Sequence, residues 1–86
     1  MDKYKVAIVD DDEVALENLS FELGKGCTLL LKGTARNGKQ GKKLIAKVQP
    51  DLLFLDVELP DMTGMELLQE IRDSVSWNMR MFLYGL

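Results

Sequence analysis

Residues 50–68 read PDLLFLDVELPDMTGMELL, and this stretch decides the fold. The apolar run at 52–55 predicts a β-strand that is covered on both faces and ends on Asp56. Pro50 separates this strand from the helix expected before it, because proline interrupts the helical hydrogen-bond pattern. The stretch therefore predicts a buried strand that places the carboxylate of Asp56 at one end of a sheet.

A helix is expected soon after this strand. Thr63 and Glu66 have the T-x-x-E spacing of a capping box, in which each side chain accepts from the other residue's backbone N–H, so the helix should begin at Gly64. The apolar side chains that would share one face of this helix are Leu67, Leu68, Ile71 and Val75.

The rest of the chain repeats the alternation of strand and helix. Further strands are predicted at 5–9, 27–35 and 79–84, and further helices at 13–23 and from about 38 to 48. Short connections between alternating strands and helices predict an α/β domain, with a parallel sheet between two layers of helices. Such sheets bind ligands beyond the carboxyl ends of their strands.

Length, charge and cysteine content narrow the class of protein. The 86 residues are enough for one domain, and a net charge of -3 with a pI near 4.8 argues against nucleic-acid binding by this segment. No apolar run approaches the ~20 residues that cross a bilayer, and no signal-peptide pattern follows Met1, so we expect no membrane association and a cytoplasmic location. The single cysteine, Cys27, is expected to be an unreactive strand residue.

Two predicted strands run directly into acidic residues. If the strands at 5–9 and 52–55 are neighbours, then Asp10, Asp11 and Asp56 converge at one edge of the sheet. A hard divalent cation would offset the repulsion between such carboxylates, and an all-oxygen set of ligands suits Mg²⁺ or Mn²⁺. A free carboxylate beside such a cation could act as the nucleophile toward a phosphoryl group, which would give an aspartyl phosphate.

Each of these acids also has a simpler interpretation, since an acidic residue after a strand often caps the following helix. Asp12 is the best candidate for a pure cap of the first helix, and Asp61 for a simple loop residue. Asn37 and Gln40 are placed to cap the second helix reciprocally. For Asp10, Asp11 and Asp56 taken together, the metal site is the favoured hypothesis.

Two motifs resemble the response-regulator receiver family. They are the run VAIVDDD at 6–12 and the stretch at 50–68, at the separation found in that family. The resemblance implies the flavodoxin-like three-layer fold with strand order 2-1-3-4. It also implies phosphoryl transfer from a histidine kinase or phosphotransfer protein, as part of two-component signalling.

The resemblance assigns a role to each residue that matches the family pattern. Asp56 would be the phosphoacceptor, and Asp10, Asp11, Asp56 and the backbone carbonyl of Glu58 would hold Mg²⁺. Pro60 and Gly64 match the family's loop residues and would shape the connection after the third strand.

The chain departs from the family in its last part. Receivers have five strands and five helices, whereas residues 1–86 would provide four strands and three helices, so a C-terminally truncated receiver domain is expected. The family's Ser or Thr at the end of the fourth strand falls on Gly85, and no later residue supplies the family's lysine. The fourth strand would also be an apolar edge, which predicts a homodimer through that edge.

Two other functions compete with a phosphoacceptor that is not itself an enzyme. One is a degenerate receiver that acts as a dimerisation module without phosphorylation. The other is a haloacid-dehalogenase-like phosphohydrolase, because Asp10 and Asp12 also fit the D-x-D pattern of that family, with Asp10 as the nucleophile.

Overall fold

The computed structural model describes residues 3–26 and 28–85. Cys27, predicted to be an unreactive strand residue, lies outside the described residues. None of the helices in the described ranges is long and apolar enough to span a membrane.

The described chain forms one parallel sheet with the strand order β2-β1-β3-β4. The strands are β1 (Tyr4–Val9), β2 (Leu29–Ala35), β3 (Leu52–Asp56) and β4 (Arg80–Tyr84). The helices are α1 (Glu13–Gly24), α2 (Gly38–Val48) and α3 (Gly64–Ile71). The predicted α/β class, element order and strand order 2-1-3-4 are confirmed, and element ends differ from the predictions by one or two residues in most cases.

The sheet lies between two separate apolar clusters, because alternate residues of β1 point to opposite faces. Val6 and Ile8 pack with Leu16 and Leu23 of α1. On the other face, β1 and β3 pack against α2 and α3 in a cluster of Ala7, Val9, Ala35, Ile45, Leu53, Leu55, Leu67 and Ile71. The last four residues of β1 are fully buried, which explains why that strand is apolar without alternation.

Local capping signals predicted the helix starts well. Asp12 is the N-cap of α1, where its side chain accepts from the backbone N–H of Val14 at 3.0 Å. The Thr63–Glu66 capping box is present in full at the start of α3. These contacts join residues two or three positions apart, so they need no tertiary information.

The cap of α2 was only half predicted. The side chain of Asn37 accepts from the backbone N–H of Gln40 at 2.8 Å, as expected. The side chain of Gln40, however, accepts from the backbone N–H of Arg36 at 3.3 Å instead of returning to Asn37.

The prediction for Asp61 as a simple loop residue was wrong. Its carboxylate accepts from the backbone N–H groups of Gly38 at 2.7 Å and Lys39 at 3.0 Å, so it ties the loop after β3 to the first turn of α2. A negative charge is favoured there, because the first N–H groups of a helix lack partners within the helix.

The predicted apolar face of α3 is also shorter than expected. The helix ends at Ile71, so Val75 lies beyond it, although Val75 still packs against the larger cluster. Asp73 and Ser74, which have low helix propensity, come between the two residues.

Candidate functional site

The candidate site lies where β1 and β3 end. Val9 pairs with Leu55 in the parallel register, so the residues that follow, Asp10 and Asp56, emerge side by side at the same edge of the sheet. The sheet order alone makes them neighbours, because these two strands are adjacent although they are the first and third in the chain.

Asp10 is the buried member of the pair, with 1% of its surface exposed. One oxygen, Oδ1, accepts from the backbone N–H of Asp12 at 2.8 Å. The other, Oδ2, accepts from the hydroxyl of Tyr84 at 2.7 Å. Both oxygens of this buried carboxylate therefore have a donor, which is what allows a charge to stay inside the fold.

Asp56 is partly buried, and the pKa of its carboxyl is raised above the ordinary value. Loss of hydration is the largest cause, and the proximity of Asp10 raises the pKa further. The backbone N–H of Glu58, which donates to Oδ1 at 3.2 Å, opposes both effects. The proximity of Asp10 therefore makes the carboxyl of Asp56 harder to ionise.

The structure brings together two of the three predicted acids. Asp11 is exposed, and its backbone carbonyl, rather than its side chain, is tied down by a hydrogen bond of 3.1 Å from the guanidinium of Arg36. In residues 3–26 and 28–85, no three acidic, histidine or cysteine side chains gather into a group that could hold a metal.

The chemistry of the adjacent pair nevertheless fits a hard cation. Mg²⁺ is commonly held by one or two carboxylates together with water, and the mutual repulsion of Asp10 and Asp56 is the kind that a divalent cation relieves. Glu58 follows two residues after Asp56, and its N–H already turns the chain back toward that carboxylate.

The loop after β3 is held tightly against the site. The backbone N–H of Gly64 donates to the carbonyl of Val57 at 2.8 Å, and that of Leu59 donates to the carbonyl of Met62 at 3.0 Å. A Cβ at position 64 would lie 2.5 Å from the backbone oxygen of Asp56. Glycine is therefore required at the start of α3, because the helix begins in contact with the backbone of Asp56.

Tyr84 is the site residue that sequence reasoning missed. It pairs with Asp56 in the register of β3 and β4, and its hydroxyl reaches Asp10. Burial, and then the hydrogen bond to Asp10, raise the pKa of the phenol, so the hydroxyl keeps its proton and remains a donor. A hydroxyl-bearing side chain at the carboxyl end of a strand beside Asp56 was the available signal.

Gly85 follows at the position that the family resemblance assigned to a hydroxyl residue. It has a φ of +101°, and a Cβ there would lie 2.5 Å from Oδ1 of Asp56. The backbone at position 85 therefore lies close to the carboxylate of Asp56, and this position carries no side chain.

The family model described as the response regulator receiver domain matches residues 6–83. The chain belongs to this family. A curated relative, the probable C4-dicarboxylate response regulator DctR of Bacillus subtilis strain 168, is 44% identical over 72 residues, which are 81% of this chain and 31% of DctR. A protein-glutamate methylesterase/protein-glutamine glutaminase of Geobacillus kaustophilus strain HTA426 is 42% identical over 71 residues, which are 83% of this chain and 20% of the relative.

Solved receiver structures agree with this assignment. The signal receiver domain of NarL from Mycobacterium tuberculosis superposes with a TM-score of 0.86 at 26% identity, over 96% of this chain and 66% of that one. The response regulator domain of CheB from Thermotoga maritima has a TM-score of 0.85 at 22% identity, over 94% of this chain and 59% of that one, and shows the shared fold. This chain thus spans less than a third of the two curated relatives, 66% of the solved NarL receiver-domain chain and 59% of the solved CheB response regulator domain chain.

Proposed function

We propose that this receiver domain accepts a phosphoryl group on Asp56 from a histidine kinase or phosphotransfer protein, in a reaction that depends on Mg²⁺ or Mn²⁺. The observation that carries the proposal is the adjacent pair of carboxylates, Asp10 and Asp56, at the carboxyl edge of a receiver sheet. Asp56 is the more accessible of the two, since Asp10 is almost fully buried.

The transfer needs Asp56 as a carboxylate. One of its oxygens forms a bond to phosphorus while the bond from phosphorus to the donor's imidazole nitrogen breaks, and the electron pair of that bond returns to the imidazole. The product is an aspartyl phosphate. A divalent cation, when bound, neutralises negative charge on the carboxylates and on the transferring group.

The ligands proposed for the cation are Asp10, Asp11, Asp56 and the backbone carbonyl of Glu58. Asp10 and Asp56 are already adjacent, and the N–H of Glu58 holds the following loop close to Asp56. Asp11 lies exposed beside them in the chain and would contribute by turning its side chain toward the pair.

Incubation with acetyl phosphate and Mg²⁺ tests the proposal. The intact protein should gain the mass of one phosphoryl group, and the gain should disappear in Asp56→Asn and when EDTA replaces Mg²⁺. Asp73→Asn is the matched control, because Asp73 is a fully exposed acid after α3 and should leave the gain unchanged. Failure of the unsubstituted protein to gain mass, or a gain that survives Asp56→Asn, would overturn the proposal.

The dimerisation module is the second candidate, and one observation favours it. In the described part of the chain β4 pairs with β3 alone, and it exposes 44% of Met81 and 55% of Phe82. An apolar edge strand offers unpaired backbone groups to a second chain, so we propose a homodimer through β4.

Light scattering at micromolar concentration tests this second role. The dimer hypothesis requires twice the chain mass, and a monomeric mass would overturn it. Beryllofluoride with Mg²⁺ separates the two roles: stabilisation that is lost in Asp56→Asn supports phosphoryl acceptance, whereas a dimer that gives no response supports the module.

The phosphohydrolase hypothesis is disfavoured by the contacts of its two acids. It placed the nucleophile at Asp10, but both oxygens of that buried carboxylate already accept hydrogen bonds. The second acid of its motif, Asp12, caps α1. Together with the kinase partner, we propose a cytoplasmic location for this receiver. We also propose that this segment does not bind nucleic acid and does not itself catalyse turnover.

A further inference from the structure

The end of β4 covers the acid pair. The hydroxyl of Tyr84 donates to Oδ2 of Asp10 at 2.7 Å, and the residues are 74 positions apart in the chain. The next residue, Gly85, brings its backbone so close to Asp56 that an added Cβ would lie 2.5 Å from Oδ1. Two consecutive residues therefore each contact one member of the pair.

The contact with Asp10 engages an oxygen that would otherwise be available to hold a cation. Oδ1 of Asp10 already accepts from the N–H of Asp12, which leaves Oδ2 as the oxygen that faces β4. The phenol proton partly offsets the negative charge of Asp10 and of the nearby Asp56, which is the electrostatic task of a bound cation.

We propose that Tyr84 caps Asp10 in the metal-free protein and that its hydroxyl must leave Oδ2 when a divalent cation binds. Tyr84 is then a residue that sets cation affinity: its hydrogen bond stabilises the metal-free state, and breaking the bond subtracts from the free energy of cation binding. The inference rests on the proposed cation site at Asp10 and Asp56.

An opposite role for the same contact makes the opposite prediction. If the hydroxyl instead held Asp10 in the orientation that a cation needs, then removing the hydroxyl would weaken cation binding. A purely structural role would change stability to the same extent with and without the cation. Removing the hydroxyl should therefore strengthen Mg²⁺ binding if Tyr84 caps Asp10, weaken it if Tyr84 orients Asp10, and leave it unchanged if the hydrogen bond is purely structural.

Isothermal titration with Mg²⁺ compares the unsubstituted protein with Tyr84→Phe, which removes the hydroxyl and keeps the ring. Tyr4→Phe is the matched control, since Tyr4 is the other tyrosine and is 58% exposed at the start of β1. We expect Tyr84→Phe to bind Mg²⁺ about tenfold more tightly, in line with the loss of one hydrogen bond to a charged group, and Tyr4→Phe to bind as the unsubstituted protein does. Unchanged or weaker Mg²⁺ binding by Tyr84→Phe would overturn the proposal that Tyr84 caps Asp10.

Denaturation in urea provides the second measurement. In EDTA, Tyr84→Phe should have a lower free energy of unfolding than the unsubstituted protein. This difference in free energy should become smaller as Mg²⁺ is added. A gap that stays constant over the titration would contradict the cap and indicate a structural hydrogen bond only.

Nuclear magnetic resonance of the unsubstituted protein tests the cap even if the variant does not fold. With ¹³C at Cζ of tyrosine, the Tyr84 resonance should move as Mg²⁺ binds, and that of Tyr4 should stay in place. A Tyr84 resonance that does not move at saturating Mg²⁺ would overturn the capping role of Tyr84 but not the proposed cation site. If Mg²⁺ binds to none of the three proteins (unsubstituted, Tyr84→Phe and Tyr4→Phe), then both the proposed cation site and the capping role are wrong.

Discussion

At the residue scale, Asp10 and Asp56 are chemically alike but have different surroundings. Asp10 is buried with a donor on each oxygen, whereas Asp56 is more open and is penalised both by loss of hydration and by Asp10. The protein keeps Asp56 in a place where its charge is unfavourable in the metal-free state. The ionised carboxylate of Asp56 therefore destabilises the fold. A carboxylate in such surroundings is suited to a reaction that changes its charge.

The raised pKa of Asp56 gives a pH dependence whose sign can be worked out. Between the ordinary pKa of 3.8 and the raised value, the folded state holds more protons than the unfolded state, so stability falls as pH rises through this window. Asp56→Asn carries no charge and escapes the penalty. In EDTA, the variant should therefore be more stable than the unsubstituted protein at neutral pH, with an advantage that shrinks as pH falls toward 3.8.

Urea denaturation followed by the fluorescence of Trp77 measures this difference at a series of pH values. Trp77 is suitable because its indole N–H donates to the carbonyl of Pro50 at 2.7 Å, a contact that unfolding breaks. An advantage of Asp56→Asn that does not vary with pH would show that charge is not the cause.

At the scale of elements, the loop between β3 and α3 joins three parts of the fold. Its start carries Asp56, its end begins α3 at Gly64, and Asp61 between them reaches the first turn of α2. Because Gly64 touches the backbone of Asp56, the position of the helix and that of the candidate phosphoacceptor depend on each other.

Asp61→Asn should loosen this loop from α2. The hydrogen bond from the N–H of Gly38 is the main cause that lowers the pKa of Asp61, so the ionised form stabilises the fold above the ordinary pKa of 3.8 and this contribution is lost as pH falls through the lowered value. Asparagine cannot supply the charge. The melting temperature of Asp61→Asn should be lower than that of the unsubstituted protein at neutral pH, and the two should converge in acid.

Asp73→Asn is the control for this comparison, since Asp73 is another exposed acid and contacts only its neighbour Arg72 at 3.8 Å among the ion pairs of the described chain. Its melting temperature should match that of the unsubstituted protein. Equal melting temperatures for Asp61→Asn and Asp73→Asn at neutral pH would contradict a stabilising role for the loop contact.

At the scale of the whole molecule, two thin layers of helices cover a four-stranded sheet, and each face has its own apolar cluster. A chain of 86 residues has a small margin of stability, typically a few kcal/mol. The larger cluster packs Leu67 and Ile71 of α3 against β3, the strand that ends on Asp56. Its packing therefore helps to hold Asp56 in place.

Leu67→Ala should destabilise the fold by about 2–5 kcal/mol, because it leaves a cavity at a position with no exposed surface. Met65→Ala is the matched control in the same helix: 53% of Met65 is exposed, and the change should cost no more than about 0.5 kcal/mol. Free energies of unfolding from urea titration measure both. Similar losses for the two variants would mean that α3 contributes little to the core.

The sequence by itself determined the parts of this protein that depend on neighbouring residues. The strands, the caps of α1 and α3, and the acids that end β1 and β3 all follow from patterns within a few positions. The sheet order was also predictable, because the motifs at 6–12 and 50–68 resemble one family and that family has one topology.

Only the tertiary structure decided which side chains meet. The bond from Tyr84 to Asp10 joins residues 74 positions apart, and that from Gly38 to Asp61 joins residues 23 apart. Asp11, which stands next to Asp10 in the chain, points to solvent instead of joining Asp56. Contacts of this kind depend on the register between strands and on the direction of each side chain, and a period of apolar residues along the chain specifies neither.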